Sequence, residues 1–356
     1  MKAAPLCAEF KNYEGVYFRL VHTGQHYDRN LSRVFFKELK LPKPHYYLGV
    51  GSDSHSAQTA RIMSAFEEIL STQKPDCVIV VGDVNSTLAC ALTTAKYRCS
   101  VRRYRPLIAH VEAGLRSHDP LMPEEINRKL TDAISDMLFI TEPVAQDNLL
   151  REGVDGNRIF YVGNVMIDTL LAFKKRAEGS TIKNRLQVKT GEYALLTLHR
   201  PGNVDNIQDL KKLFRILERI AIQIPVIFPV HPRTQAMLTS NEVNADFLKI
   251  IPPLGYLDFL NLMMDARFVL TDSGGIQEET TVLGVPCITL RETTERPITV
   301  TLGTNTVVGR SERKIVEAVE HVLQGDLVQG RIPRFWDGKA AKRICKIIYH
   351  HLKHQM

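Results

Sequence analysis

The stretch ARFVLTDSGGIQEETTVLGVPCITL, Ala266 to Leu290, decides how the rest of the chain is read. Its apolar run Phe268 to Leu270 ends at Thr271-Asp272, and Ser273-Gly274-Gly275 makes a small-residue turn. A helical segment then opens at Ile276 and stops at Gly284, and a second strand, Val285 to Leu290, follows at once. Strand, turn, helix, strand is the repeating unit of a parallel α/β sheet. The two glycines let backbone approach a ligand closely, and free N–H groups at a helix start favour an anion such as a diphosphate. Glu278 and Glu279 are expected in the first turn, where a carboxylate is favourable in itself or reaches a ribose hydroxyl. A tight βα turn with no ligand fits the same pattern, so the other strand ends have to decide.

Upstream, the same alternation repeats. The opening MKAAPLCAEFKNYEG reads as a helix, and strands follow at Tyr17 to Thr23 and His45 to Val50. A helix is expected over Asn30 to Leu41 and another over Ser56 to Ser71. Cys77 to Val81 is a continuous apolar run of the kind buried in parallel sheets, and Leu107 to Val111, Met137 to Ile140 and Ile159 to Val162 are further strands. Pro123 is well placed as a first helical residue, with Glu124 and Glu125 behind it. The rhythm is complete by about residue 165 and restarts beyond the polar stretch Glu178 to Glu192, read as the linker region. Strands are expected at Tyr193 to Leu198, Val226 to Val230 and Phe247 to Ile251, and helices at Ile207 to Ile222, Tyr256 to Asp265, Arg313 to Leu323 and Ala340 to Leu352. The expected class is α/β, with two Rossmann-like domains over 1–165 and 166–337 and a last helix within 338–356.

At 356 residues the chain exceeds one ordinary core. It has no apolar run near the ~20 residues that span a bilayer and no signal-peptide pattern. Six scattered cysteines form no CxxC pair, which points away from zinc or a disulfide framework and towards a reducing cytoplasm. A net charge of +7 suits an anionic small substrate, because the basic residues are spread out rather than gathered in a nucleic-acid stripe. Tyr349-His350-His351 with His354 reads as the surface of a basic helix, not a metal site.

Ligands of open α/β sheets bind beyond the carboxyl ends of strands. The first domain offers Asp83, Glu112 and, on the following helix, Glu124; the second offers His199, His231 and the Ser273-Gly274-Gly275 turn. Carboxylates from one side with histidines and an anion-binding turn from the other suggest acid–base chemistry on a nucleotide-linked substrate. Each has a structural alternative. Asp83 and Asn85 fit as helix caps, Glu124 as an ordinary first-turn carboxylate, Glu112 as the partner of Arg116 or Arg128, and the histidines as satisfied buried rings.

The strings VGDVNSTLA, AHVEAGLRS, MPEEINR, TLHR, FPVHPRT, LTDSGGIQEE, GVPCITLRETTERP and GTNTVVG together resemble the non-hydrolysing UDP-N-acetylglucosamine 2-epimerases, in the family's order from Lys2 to about Gly309. The resemblance implies a GT-B-like fold with substrate in the cleft between domains and a C-terminal helix crossing back to the first. It also implies interconversion of UDP-GlcNAc and UDP-ManNAc with no metal or redox cofactor, through elimination of UDP to 2-acetamidoglucal and its re-addition. By the same resemblance, Asp83, Glu112 and Glu124 match the catalytic carboxylates and His199 the catalytic histidine. Ser273, Gly274 and Gly275 would hold phosphate, Glu279 the ribose, and Leu254-Gly255-Tyr256 would border the uracil. Lys2 would face the active site, and Gln25, His26, Arg200 and His231 match an activating UDP-GlcNAc site of bacterial members. A homodimer and a role in surface polysaccharide supply are implied in the same way.

Two departures stand out. The family's first strand and its Gly-x-Arg-Pro loop have no counterpart, for which a misplaced start site is the preferred reading. His199-Arg200 is followed by Pro201-Gly202 where activated members usually carry Arg-Glu. An epimerase of a related UDP-diacetamido-uronic acid, a GT-B glycosyltransferase and a binding-only remnant are the competing readings.

Overall fold

The computed structural model describes residues 1–25, 34, 36–98, 105–326 and 329–353. The chain forms two compact units, Met1–Thr169 with Arg334–Met356, and Leu170–Pro333. In the first, β1 (Val21–His22) and β2 (Tyr46–Tyr47) make a two-stranded parallel sheet. A separate parallel sheet runs in the order β3 (Cys77–Val81), β4 (Leu107–Val111), β5 (Met137–Ile140), β6 (Ile159–Tyr161). Apart from His110 in β4, the runs of β3 to β6 are apolar or aromatic because helices cover both faces. Ile62, Phe66 and Leu70 of the helix His55–Gln73 pack on one face with Val78 and Val80. Leu6, Phe10 and the last helix pack on the other with Ala109, Val111, Met137 and Phe139.

β1 and β2 are shorter than the strands read from the sequence. Gly24 and Gly49 take positive φ just beyond the paired residues, where the two segments stay hydrogen-bonded through Val50 N to the Thr23 carbonyl (3.0 Å), and on the other side the Leu20 N–H donates to His45 Nδ1. Among the described residues no strand pairs with both β1 and β3, and the first element is the helix Ala3–Glu9. Of the helix expected over Asn30 to Leu41, residues 30–33 and 35 lie outside the described residues, and Val34 and Phe36 to Glu38 are helical.

The last helix, Ala340–Lys353, buries Ala340, Ala341, Ile344, Cys345 and Ile348, one stripe at helical spacing. Its first N–H groups lack intrahelical partners, and Asp168 supplies them: Oδ1 accepts from Ala340 N (3.1 Å) and Oδ2 from Ala341 N (2.7 Å). The returning segment crosses Gly163 so closely that a Cβ there would lie 2.0 Å from the Phe335 carbonyl oxygen, at a φ of +90°. Gly163→Ala is therefore expected to destabilise the first unit by about 2 kcal/mol or more. The sole tryptophan, Trp336, is buried there with Nε1 donating to the Thr141 carbonyl, so urea unfolding followed by its fluorescence reads the loss. An unchanged midpoint would refute the contact.

The second unit has one six-stranded sheet: β7 (Ala194–Thr197), β8 (Val226–Pro229), β9 (Lys249–Ile251), β10 (Phe268–Thr271), β11 (Cys287–Thr289) and β12 (Asn305–Val307). Their order is β12-β11-β10-β7-β8-β9 and every pairing is parallel. This is the doubly wound order. The direction of winding reverses between β7 and β10, where such sheets bind ligands. The stretch read as a linker, Glu178 to Glu192, falls inside this unit, and the helix Val165–Glu178 runs across the division at Thr169. Beyond it Ser180 donates to Asp258 and Arg185 pairs with the same carboxylate, which fastens the polar residues to the helix Tyr256–Met264. Their polarity reflects a solvated surface.

Candidate active site

In the first unit, three short turns after β3, β4 and the Met122 region gather charge. Glu112 follows β4 with φ +73°, unusual for a residue with a side chain and of a kind that collects at functional sites. Its carboxylate is 2% exposed; Oε2 pairs with Lys2, while Oε1 is buried with no hydrogen-bond partner. Gly82, also at positive φ, carries the end of β3 against this pair: a Cβ there would lie 3.2 Å from Lys2 Nζ and 3.4 Å from Glu112 Oε2. Asp83 comes next. Its Oδ2 accepts from Arg128 Nη1 at 2.6 Å, and its carbonyl from Asn127 Nδ2 at 2.9 Å. Arg128, almost wholly buried, also donates to Glu125, whose carboxylate takes the Ser117 N–H. Burial works to raise Glu125, but Ser117 and Arg128 outweigh it and hold its carboxyl below the usual range.

The cap reading of Asp83 and Asn85 does not hold. The helix Asn85–Lys96 starts from Val84 with no side-chain cap, and the Asn85 amide bonds to Gln58 and His55 instead. Glu112 pairs with Lys2, not with Arg116 or Arg128, which serve Asp132 with Glu152 and Asp83 with Glu125. Glu124 is half-buried in the first turn of the helix Pro123–Ile134, next to the Glu125–Arg128 pair. Gln25 Oε1 accepts from Ser86 N and Oγ, in the first turn of the helix Asn85–Lys96. His26 lies outside the described residues.

In the second unit, the ends of β7 and β10 meet through Asp272. This fully buried carboxylate accepts from the backbone N–H groups of His199 (3.0 Å) and Arg200 (2.9 Å), and pairs with His199 Nδ1 at 2.9 Å. Burial would raise it, but His199 and the backbone donors prevail and hold it low. An ionised Asp272 makes Nδ1 the donor, which leaves His199 Nε2, on a ring 37% exposed, for chemistry. The His231 ring lies 6.0 Å away, its Nδ1 accepting from Arg233 N at a helix start. Arg200 and Arg291 flank the buried Glu295, which their charge and that of Arg296 hold well below the carboxylate range against its burial.

The turn Ser273-Gly274-Gly275 opens the helix Gly274–Leu283, two residues earlier than the sequence suggests. Ser273 makes no side-chain cap, and a Cβ on Gly274 would come 2.7 Å from Glu295 Oε1. Glu278 and Glu279 are consequently in the second turn, not the first, and both are buried. Glu278 pairs with Arg296 at 2.5 Å, and Glu279 accepts from the Tyr256 hydroxyl at 2.9 Å. Burial pushes Glu279 up to about 7, partly offset by Tyr256. A folded carboxyl raised above its unfolded value stabilises the protonated fold, so this contribution falls as pH rises from about 4.5 to 7 and is then level. Glu279→Gln is expected to remove that slope: its melting temperature should change less between pH 5 and 8 than that of the unsubstituted chain. Parallel curves would count against the buried acid.

Sequence reasoning did not single out Asp272, Glu295 or Arg128 as site residues, since a buried ion pair has no local pattern. Among the described residues no cluster of histidine, cysteine, aspartate and glutamate could hold a metal, and His350 and His351 are exposed. No helix there is long and apolar enough to cross a membrane.

Carboxylates at one set of strand ends, and an oriented histidine beside a glycine-opened helix start at another, stand on Rossmann-like units where such sheets receive ligands. The family model for UDP-N-acetylglucosamine 2-epimerases matches residues 8–349. The chain is 45% identical over 341 residues to the UDP-N-acetylglucosamine 2-epimerase of Methanocaldococcus jannaschii, covering 93% of this chain and 91% of that protein. It is 40% identical over 332 residues to a UDP-2,3-diacetamido-2,3-dideoxy-D-glucuronate 2-epimerase of Pseudomonas aeruginosa, covering 92% and 90%. The M. jannaschii enzyme's crystal structure with UDP-GlcNAc and UDP superposes with a TM-score of 0.90 at 42% identity over 98% of this chain and 96% of that one. The Neisseria meningitidis enzyme bound to UDP-GlcNAc gives 0.86 at 27%, with the same coverage. The chain belongs to the UDP-N-acetylglucosamine 2-epimerase family, whose members are isomerases.

Proposed function

We propose that this protein interconverts UDP-GlcNAc and UDP-ManNAc. A carboxylate takes the C2 proton as the C1–O bond breaks, so that a C1=C2 double bond forms in 2-acetamidoglucal and UDP leaves with the electron pair. UDP then attacks C1 again while a proton returns to C2 on the opposite face. Glu112, Asp83 and Glu124 are the proton-handling groups and His199 acts beside the diphosphate. Ser273, Gly274 and Gly275 hold the phosphates, Glu279 the ribose, and Tyr256 borders the uracil. The observation that carries this reading is the buried Glu112 oxygen without a partner, poised beside Lys2 and the Gly82-Asp83 turn. Such an oxygen is held ready for a proton the protein does not itself provide.

Proton NMR of UDP-GlcNAc incubated with the protein in D₂O tests it. UDP-ManNAc signals with deuterium at C2 are expected; an unchanged substrate spectrum argues against it. The 40% identity to the Pseudomonas enzyme favours a second substrate, UDP-diacetamido-glucuronic acid, and the same experiment with that compound separates the two. The reading extends to a cytoplasmic homodimer that supplies surface polysaccharide precursors. Activation by UDP-GlcNAc would use Arg200 and His231 beside His199, together with Gln25 and His26, and Pro201-Gly202 in place of Arg-Glu speaks against it. Hyperbolic rather than sigmoidal rate curves are the corresponding expectation.

A further inference from the structure

His110 lies in β4 and is fully buried. Its two ring nitrogens face two acceptors. Nε2 is 2.9 Å from the carbonyl oxygen of Gly82, and Nδ1 is 2.7 Å from Asp132 Oδ1. A carbonyl oxygen can only accept. Asp132 accepts as well, because its other oxygen already takes the Gly114 N–H at 3.0 Å and Arg116 Nη2 at 2.7 Å. Both ring nitrogens must then donate.

We propose that His110 is a buried imidazolium that pins the Gly82–Asp83 peptide and so positions the Asp83 and Glu112 carboxylates. The ring's charge is balanced along a chain of alternating sign: His110, Asp132, Arg116, and Glu152 at the surface, where Arg116 Nε and Nη2 meet the two Glu152 oxygens at 2.8 and 2.5 Å. Such a chain keeps a cation stable in an interior that would otherwise neutralise it. Its near end acts on the peptide between β3 and Asp83. The Gly82 N–H donates to the Val111 carbonyl at 3.0 Å, and the His110 ring holds the Gly82 oxygen, so both polar groups of this glycine are fixed. A Cβ on the same glycine would meet the Lys2–Glu112 pair, and Asp83, next in the chain, is held by Arg128. A ring two residues before Glu112 therefore sets the separation of two carboxylates. The inference rests on the proton-handling roles proposed for Asp83 and Glu112.

Two substitutions separate its parts. In His110→Gln the amide nitrogen reaches where Nε2 lies and keeps the Gly82 bond. In His110→Asn it replaces Nδ1, keeps Asp132 and abandons Gly82. The expected result is a kcat lowered by tenfold or more in the Asn variant with KM nearly unchanged, and a smaller loss in the Gln variant, whichever of the two melts lower. Equal kcat values, or losses that merely follow the melting temperatures, overturn the positioning role. The ¹⁵N spectrum of the unsubstituted protein must show a hydrogen on both His110 nitrogens at neutral pH; one bare nitrogen overturns the imidazolium even if the Asn variant does not fold. Failure of the epimerase reading would appear instead as absent C2 exchange in the unsubstituted protein, with this spectrum unaffected.

Discussion

Glu112→Gln and Asp83→Asn should each lower turnover by roughly two to four orders of magnitude while UDP still binds. The two substitutions keep side-chain shape and remove the basic oxygen, so they separate proton transfer from packing. Glu112 is the more sensitive of the two. Its backbone sits at φ +73°, its carboxylate is nearly sealed, and Lys2 neutralises only one of its oxygens. An amide there leaves Lys2 facing a neutral group, which adds a stability loss that melting curves can measure separately. Asp83 is held differently. Arg128 fixes one oxygen at 2.6 Å and the side chain keeps 23% of its surface open. Its amide variant should fold nearly normally, because Arg128 retains Glu125. Steady-state rates with UDP titration calorimetry give both quantities. Near-normal rates in both variants would end the catalytic assignment.

Asp272→Asn should reduce kcat by about a hundredfold or more, comparably to His199→Asn. Asp272 has no surface of its own and reaches no substrate directly; it acts through His199, whose backbone and ring it holds together. An asparagine offers one acceptor where the carboxylate offers two, and turns an N–H towards one of the donors at His199, Arg200 or Asn203. The ring then loses its fixed orientation and its charge partner. Because both residues act as one unit, the double variant should be little worse than either single one. Multiplying losses in the double variant would show independent roles. UDP affinity should change less than turnover, since the proposed reading rests the phosphates on the Ser273-Gly274-Gly275 backbone and not on the ring.

The local order of residues determined much of this protein. The runs Cys77 to Val81, Leu107 to Val111 and Met137 to Ile140 are strands with those same limits, because a strand buried on both faces leaves an apolar signature, interrupted here only by His110. Pro123 begins its helix, and Asp83, Glu112, His199 and Ser273 stand at strand ends where parallel sheets leave room for chemistry. What only the tertiary structure decided is how those side chains are engaged. The helix after Ser273 starts at Gly274, because backbone with no Cβ can lie against Glu295, and that moved Glu278 and Glu279 into a buried second turn. The polar residues beyond Glu178 became surface of the second unit, since Asp258 was waiting for Ser180 and Arg185. Asp272 with His199, Arg128 with Asp83, and His110 with Gly82 join residues 28 to 73 positions apart. Periodicity reports only near neighbours along the chain, whereas these pairings depend on strand order, which brings the ends of β7 and β10 together and sets β3 beside β4.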